Sequence, residues 1–183
     1  MIRVTAPLLS QNNAIWSRQL LGFSRRTLGT HGCGVTCLTM LLNSVTQTTH
    51  YSPLTVNSAL RERSAFCGPW SNYVDWPVVP SIWPCLSYKG RLDCPDTPAS
   101  KSALNEIDRR LNIGLPVIIY VDASPETGLQ QHFVLVVGIT EDGDNYIVNN
   151  PWRGTQHLLC PQYSTPIAVA VCGILFYDRG QTT

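Results

Sequence analysis

Lysine is scarce in this chain of 183 residues, and so is charge of either sign. Lys89 and Lys101 are the only lysines among thirteen basic residues, and charged residues make up 14% of the sequence, where about 25% is usual. No cluster of lysine and arginine is long enough to mark a nucleic-acid-binding arm, so a nucleic-acid partner is not indicated. The hydrophobic share of 44% excludes a disordered chain.

Acidic residues are missing from the first third of the sequence. Residues 1–61 contain five arginines and no Asp or Glu, whereas the rest of the chain carries eight basic and twelve acidic residues. The net charge of +1 therefore conceals a basic part and an acidic part. The arginines either create a positive field near a functional site or lie solvated on an outer surface.

Long apolar runs are also missing. The longest run, 167–177, is too short to span a bilayer and predicts a buried strand. The segment 1–7 has no long apolar stretch and is followed at once by the polar run Ser10–Asn13. We therefore expect neither a membrane span nor a secretory signal peptide.

The cysteines lack the spacing of a zinc site. There are seven, and no two form a C-x-x-C pair or lie beside a suitably spaced pair of histidines. An odd number without a secretory signal predicts at least one free thiol. A reactive cysteine is therefore worth seeking, and Cys67, Cys85 and Cys94 are candidates for a disulfide in an oxidising compartment.

The periodicity of apolar residues predicts a helical first half and a strand-rich second half. Helices are expected at 33–42, from Ser52-Pro53 to about Arg63, and after Thr97-Pro98 as far as Gly114. Strands are expected at 115–122, 132–139, 146–149 and 167–177, with a hairpin turn at 141–144. Helices followed by antiparallel strands give an α+β fold.

The length favours a single domain over 1–183. Residues 66–95 follow neither the helical nor the strand period and are expected to form an irregular insertion. Its tryptophans, Trp70, Trp76 and Trp83, are expected to be packing anchors or walls of a groove.

Cys33 has the features of an activated nucleophile. It is expected to begin a helix, where the helix dipole and free backbone N–H groups favour a thiolate. Gly32 and Gly34 on either side allow a substrate backbone to approach. The alternative is a buried structural cysteine, which is what Cys37 on the same helix face is expected to be.

A nucleophilic cysteine requires a base, and the base requires an orienting group. His132 opens an apolar strand, and a hairpin across the turn at 141–144 would bring Asn150 near it. The Asn150 carbonyl would then accept the Nδ1–H of the imidazole. Alternatively, His132 is a satisfied strand-end residue and Asn150 a turn residue before proline. His31 is a possible electrostatic neighbour, while His50 and His157 lie in polar or loop contexts.

Several segments together resemble the papain-like cysteine peptidases related to the bacteriocin-processing, double-glycine leader peptidases. The segments are 7–12, Trp16, 21–24, 27–29, 32–42, 115–117, 132–138, 146–152 and Gly154. They cover most of the chain outside 66–95. The resemblance implies a papain-like fold, with a helical part packed on an antiparallel sheet.

The resemblance also implies the roles of four residues. Cys33 would be the nucleophile, His132 the general base, Asn150 the third member of the triad, and Gln11 a donor that joins the Cys33 backbone N–H at the oxyanion. The family usually has Asp where this chain has Asn150. Gln11 lies 22 residues before Cys33, a wider spacing than in transporter-fused leader peptidases and one seen in stand-alone members.

The function expected from the resemblance is hydrolysis of a peptide or isopeptide bond through a Cys33 thioester, without a metal or organic cofactor. An alternative is a peptidoglycan endopeptidase or amidase of a bacterium or phage, either a lysin or a virion component. Acyl transfer uses the same triad, and a non-catalytic binding protein is a further alternative. The basic first third would favour an anionic substrate, and the protein is expected in the cytoplasm, released, or within a virion or larger assembly.

Overall fold

The structure of the protein is a computed structural model that describes residues 1–124 and 128–181. Its helices are α1 (Leu28–His31), α2 (Cys33–Thr46), α3 (Pro53–Glu62), α4 (Val79–Ile82), α5 (Lys101–Asn112) and α6 (Ile167–Ala170), with a 3-10 turn at Trp76–Val78. Its strands are β1 (Ile2–Arg3), β2 (Phe66–Cys67), β3 (Tyr73–Val74), β4 (Leu86–Asp93), β5 (Val117–Asp122), β6 (Gln131–Ile139), β7 (Tyr146–Asn150), β8 (Thr155–Leu158) and β9 (Gly173–Arg179).

An antiparallel sheet is the centre of the fold. Its strand order in the described residues is β4-β9-β5-β6-β7-β8. Strand β1 also pairs with β6, at Ile139 and Gly138, just beyond the point where the first residue of β5 pairs with β6. Strands β2 and β3 form a separate hairpin. Helices combined with an antiparallel sheet confirm the predicted α+β class.

Both faces of the sheet are buried. Helix α2 packs on one face, where Leu38, Leu135 and Leu175 belong to one apolar cluster, and α5 packs on the other, where Ile107 and Val134 belong to a second. Burial on both faces explains why β5 and β6 are nearly continuous apolar sequences and do not alternate.

The helix boundaries follow from capping residues. Helix α2 begins at Cys33, as predicted, and continues to Thr46. Ser52 caps α3 by accepting from the Thr55 N–H, with Pro53 in the first turn. Helix α5 begins later than predicted, because Ser100 accepts from the Ala103 N–H and provides the cap.

Two predictions about secondary structure were wrong in part. Residues 66–95 are not irregular throughout, since they include the β2–β3 hairpin and the eight-residue strand β4. The run 167–177 is not one strand, because α6 precedes β9. A short apolar run does not distinguish a helix from a strand by its period alone.

The side chains of the 66–95 segment differ in burial. Trp76 and Trp83 are buried anchors as predicted, whereas Trp70 is exposed beneath the Arg26 guanidinium. All seven cysteines lie in the described residues and are free thiols. Cys85 and Cys94 flank opposite ends of β4, about 30 Å apart at the usual strand rise, so the expected disulfide is not formed there. Among the described residues, no helix is long and apolar enough to cross a membrane.

Candidate active site

One cleft contains all four residues predicted for the site. Its volume is about 1080 Å³, and Gln11, Cys33, His132 and Asn150 all line it. They arrive from different elements: a loop near the chain start, the first residue of α2, the start of β6 and the end of β7. The fold therefore brings together side chains that are far apart in the sequence.

Cys33 lies half-buried where α2 meets the sheet. Backbone N–H groups of Phe133, Gly34 and Cys33 itself approach its thiol. Phe133 directly follows His132 in β6, so the Cys33 thiol lies beside the residue adjacent to the candidate base His132. Trp76 and Phe133 pack together 5.5 Å apart between ring centroids and lie against Gly34.

Burial opposes the predicted preference of Cys33 for a thiolate. Burial raises the pKa of the Cys33 thiol, and this effect exceeds the lowering by the three backbone N–H groups. Loss of contact with water disfavours the Cys33 thiolate more than the backbone N–H groups around it stabilise it. Cys37, one turn further along α2, is fully buried in the core as expected.

His132 is hydrogen-bonded to Asn150, with 2.9 Å between Nε2 of the ring and Oδ1 of the amide. The prediction that Nδ1 makes this bond was wrong. The hairpin between β6 and β7 pairs Leu135 with Asn149, which sets the two side chains at one end of the sheet. With Nε2 bonded to Asn150, Nδ1 is the other ring nitrogen of a histidine that lines the cleft.

His132 is buried, and this affects its titration. Desolvation lowers the pKa of the imidazole, the hydrogen bond with Asn150 raises it, and the charge of a protonated His157 lowers it further. Burial is the largest of these effects. The ring therefore favours its neutral form, which is the form that accepts a proton.

Two residues of this site, His157 and Tyr163, were missed by the sequence analysis. The Asn150 Nδ2 donates to the Tyr163 hydroxyl at 2.9 Å and lies 3.3 Å from Nε2 of His157. His157 lies on β8, not in a loop, and pairs with Val148 of β7. The turn between Asn150 and Thr155 contains Gly154 with a φ of +64°, and this is the signal that predicts a second hairpin here.

Gln11 is buried at the edge of the cleft. Its Nε2 donates to the Gly29 carbonyl at 2.9 Å, and its Oε1 has no hydrogen-bond partner within the described part of the chain. The Gln11 backbone N–H donates to the Pro151 carbonyl at 2.7 Å, which attaches this segment to the turn after Asn150. One N–H of the Gln11 amide remains beyond the bond to Gly29.

The predicted field of the basic first third is not found in the cleft lining. None of the five arginines of residues 1–61 is among the described residues that line the cleft, where the strongly charged side chains are Asp75 and Arg91. Arg26 and Arg61 lie over the aromatic rings of Trp70 and Phe23. Arg26 still acts near the cleft, because it contributes to lowering the pKa of His31, after the larger effect of burial.

Metal chemistry has no candidate ligand set in the described residues. No group of three His, Cys, Asp or Glu side chains among them is arranged to hold a metal ion. The arrangement around Cys33 is instead suited to covalent catalysis, which needs a nucleophile, a neutral base and an orienting group.

Comparison with known protein families gives a match over most of the chain. The family model described as Peptidase_C39 like family matches residues 4–163, which include Gln11, Cys33, His132 and Asn150. No curated protein matches the chain. The family match fits the papain-like α+β architecture seen in the structure.

Proposed function

Since the chain belongs to the Peptidase_C39 like family, we propose that it hydrolyses a peptide or isopeptide bond through a thioester on Cys33. The family supports a cysteine peptidase acting on a peptide substrate. One observation carries the proposal to these residues: Cys33, His132 and Asn150 line the same cleft, and Asn150 occupies only the Nε2 side of the His132 ring.

The first step is transfer of the Cys33 proton to Nδ1 of His132. Asn150 accepts a hydrogen bond from Nε2–H and so keeps Nδ1 unprotonated and able to accept. The Cys33 sulfur then attacks the carbonyl carbon of the substrate. Because the pKa of Cys33 is raised and that of His132 is lowered, the thiol and the neutral imidazole are favoured before this transfer.

The oxyanion formed by this attack needs donors. The backbone N–H of Cys33 at the start of α2 is one, and the second N–H of the Gln11 amide is the other. Collapse of the intermediate breaks the C–N bond, and the imidazolium of His132 gives its proton to the leaving amine. Water, deprotonated by His132, then hydrolyses the thioester and restores the thiol.

The aromatic side chains that line the cleft favour a polypeptide substrate. Exposed Tyr73 and Trp152 lie along the cleft, and Trp76 lines it next to Cys33. Such rings provide apolar contacts for the side chains of an extended substrate. Peptidoglycan stem peptides are a narrower class of substrate that contains the same peptide bond.

Cys33→Ala tests the proposal. We expect the variant to hydrolyse a mixed peptide library, or peptidoglycan stem peptides, at less than about one thousandth of the wild-type rate. Cys85→Ala removes a half-buried thiol outside the cleft lining and is the matched control. Equal activity of Cys33→Ala and the wild type would exclude the proposal.

Alkylation by iodoacetamide gives a second measurement that needs no substrate. We expect His132→Ala to slow the labelling of Cys33 at neutral pH, because the raised pKa leaves little thiolate without the base. The exposed thiol of Cys67 is the internal reference. If His132→Ala slows both thiols equally, or neither, His132 does not act on Cys33.

A further inference from the structure

The orientation of the Asn150 amide is fixed by its neighbours. Its Oδ1 accepts from the Trp152 backbone N–H at 2.9 Å, and a backbone N–H can only donate. The oxygen of the amide is therefore identified, and Nδ2 points the other way. Because the same Oδ1 lies 2.9 Å from Nε2 of His132, that ring nitrogen must carry the proton.

The other side of the amide faces two acceptors. Nδ2 donates to the Tyr163 hydroxyl at 2.9 Å and lies 3.3 Å from Nε2 of His157. Nδ1 of His157 lies 2.9 Å from the Leu158 carbonyl, which can only accept. The His157 proton is therefore on Nδ1, and a neutral His157 presents a lone pair on Nε2 to Asn150.

From this continuous set of bonds we propose that His157 and Tyr163 are positioning residues that hold the Asn150 amide in one orientation and thereby set the tautomer of His132. The inference rests on the proposed function, in which His132 uses Nδ1 as the base. His157 lies outside the cleft lining, whereas Tyr163 is part of it. Both act through Asn150, and His157 does so only while its Nε2 is an acceptor.

Protonation of His157 would oppose this orientation. An Nε2–H on His157 would face the Nδ2–H of Asn150, and rotating the amide by half a turn would relieve the contact. The rotated amide would present Nδ2 to His132, whose Nε2 would then have to accept, so that the proton moves to Nδ1. The base would be occupied, and the Trp152 N–H would lose its acceptor.

The titratable groups around His157 come from β6 and from the segment that follows β8. His132 lies on β6, and its pKa is affected by the charge of His157. Tyr163 follows β8 with its ring 5.7 Å from that of His157, and burial raises the pKa of its hydroxyl. Cys160 lines the same shallow depression as His157. A positive charge on His157 therefore acts mainly on the Asn150–His132 pair.

Two substitutions of His157 separate the acceptor from the charge. His157→Gln keeps an acceptor for Nδ2 of Asn150 and cannot be protonated. His157→Lys carries a permanent positive charge and only donor hydrogens. His157 is half-buried on a short strand, and the exposed His50 provides the matched control as His50→Gln.

The expected results concern both kinetics and the His132 ring. Correlation spectra of ¹⁵N-labelled histidine should show Nε2–H on His132 in the wild type and in His157→Gln, and Nδ1–H in His157→Lys. At neutral pH, kcat should stay within about threefold of wild type in His157→Gln and fall at least tenfold in His157→Lys, with KM little changed, since a wrong tautomer costs up to about 10⁴-fold in related triads.

Tyr163→Phe is the second variant, and it keeps the ring that packs against His132 and His157. It should increase the Nδ1–H population of His132 and lower kcat, with KM little changed. The inference is overturned if His132 keeps Nε2–H in the folded Lys and Phe variants, or if the Gln and Lys variants have the same kcat. Failure of the proposed function would look different: the wild type would not hydrolyse peptides, while the spectra would still report the tautomer.

Discussion

Burial moves the pKa values of Cys33 and His132 in opposite directions, and both movements favour the uncharged side chain. A thiol beside a neutral imidazole holds little thiolate, so the reaction of Cys33 with electrophiles is expected to depend on His132 accepting its proton. Asn150 acts against burial, because its bond to Nε2 raises the pKa of the imidazole.

This balance predicts the titration of His132. An NMR titration should give a midpoint below the value of about 6.5 for histidine in an unfolded chain, because desolvation is the largest effect. Removing the bond in Asn150→Ala should lower the midpoint further, since that bond raises the pKa. A midpoint above the unfolded value, or a rise in Asn150→Ala, would contradict the assignment of causes.

Gln11 offers a kinetic prediction. Gln11→Ala should lower kcat about 10²- to 10³-fold with a much smaller change in KM, because an oxyanion donor acts mainly in the transition state. The thermal midpoint must be measured alongside, since the variant also loses the bond to the Gly29 carbonyl. The Asn13→Ala variant, in the same segment but outside the cleft lining, is the control. Equal losses in both variants would assign Gln11 to structure alone.

The start of α2 lies in close contact with the backbone of α1. A Cβ built on Gly32 would lie 2.4 Å from the Leu28 carbonyl oxygen and 2.8 Å from its Cα, both backbone atoms of α1. A Cβ on Gly34 would make only ordinary contacts, at 3.4 Å or more, with Trp76 and Phe133. Gly32 therefore permits the short link between α1 and α2 that places Cys33.

Alanine at the two positions should have opposite effects on stability. Gly32→Ala should lower the free energy of unfolding by about 1–3 kcal/mol, because backbone must move, and should displace Cys33. Gly34→Ala should leave it unchanged or raise it by up to about 1 kcal/mol, since alanine favours the helix. Urea unfolding of both variants measures the difference, and equal stabilities would show that the α1–α2 link tolerates a Cβ.

The sequence predicted the elements that have strong local signals. Ser52-Pro53 marked α3, and the strands β5, β6 and β7 were recognised because they are apolar runs bounded by turns. Strand β4 was missed because it lies at the sheet edge, is polar and contains a bulge near Gly90, whose φ is +133°. Such a strand owes its conformation to pairing with β9, and a local pattern does not report that pairing.

The candidate site was also predicted only in part from the sequence. Cys33, His132 and Asn150 were identified from glycines, strand starts and a hairpin, and the structure brings them into one cleft. The ring nitrogen that bonds Asn150 was assigned wrongly, because rotamers depend on tertiary packing. His157 was missed because β8 alternates weakly and was not recognised as a strand.

A buried arginine outside the cleft lining, Arg110, joins helix α5 to strand β9 of the sheet. Arg110 of α5 is 3% exposed and donates to the Tyr177 carbonyl at 2.9 Å. It also pairs with Glu106 at 2.6 Å and with Asp178 of β9 at 3.0 Å. Its guanidinium lies 4.8 Å from the centre of the Phe176 ring.

Arg110→Ala should therefore destabilise the fold without changing catalysis. We expect a loss of about 2–4 kcal/mol, because the buried arginine's packing and its bonds to carbonyl and carboxylates disappear together. Arg109→Ala removes a half-exposed arginine that pairs with the same two carboxylates and should lower the stability much less, because exposed ion pairs contribute little. Denaturant unfolding measures both, and kcat/KM at low temperature should be unchanged in each.

The attachment of the segment around Gln11 to the turn after Asn150 has a consequence for the order of folding. The Gln11 N–H donates to Pro151, and Asn12 donates through its side chain to the Trp152 carbonyl. A growing chain presents Gln11 and Cys33 early but gains these acceptors only after residue 152 has been synthesised. Contacts of such high sequence separation form late and slowly, so the nascent chain carries Cys33 for most of its synthesis without a completed candidate site.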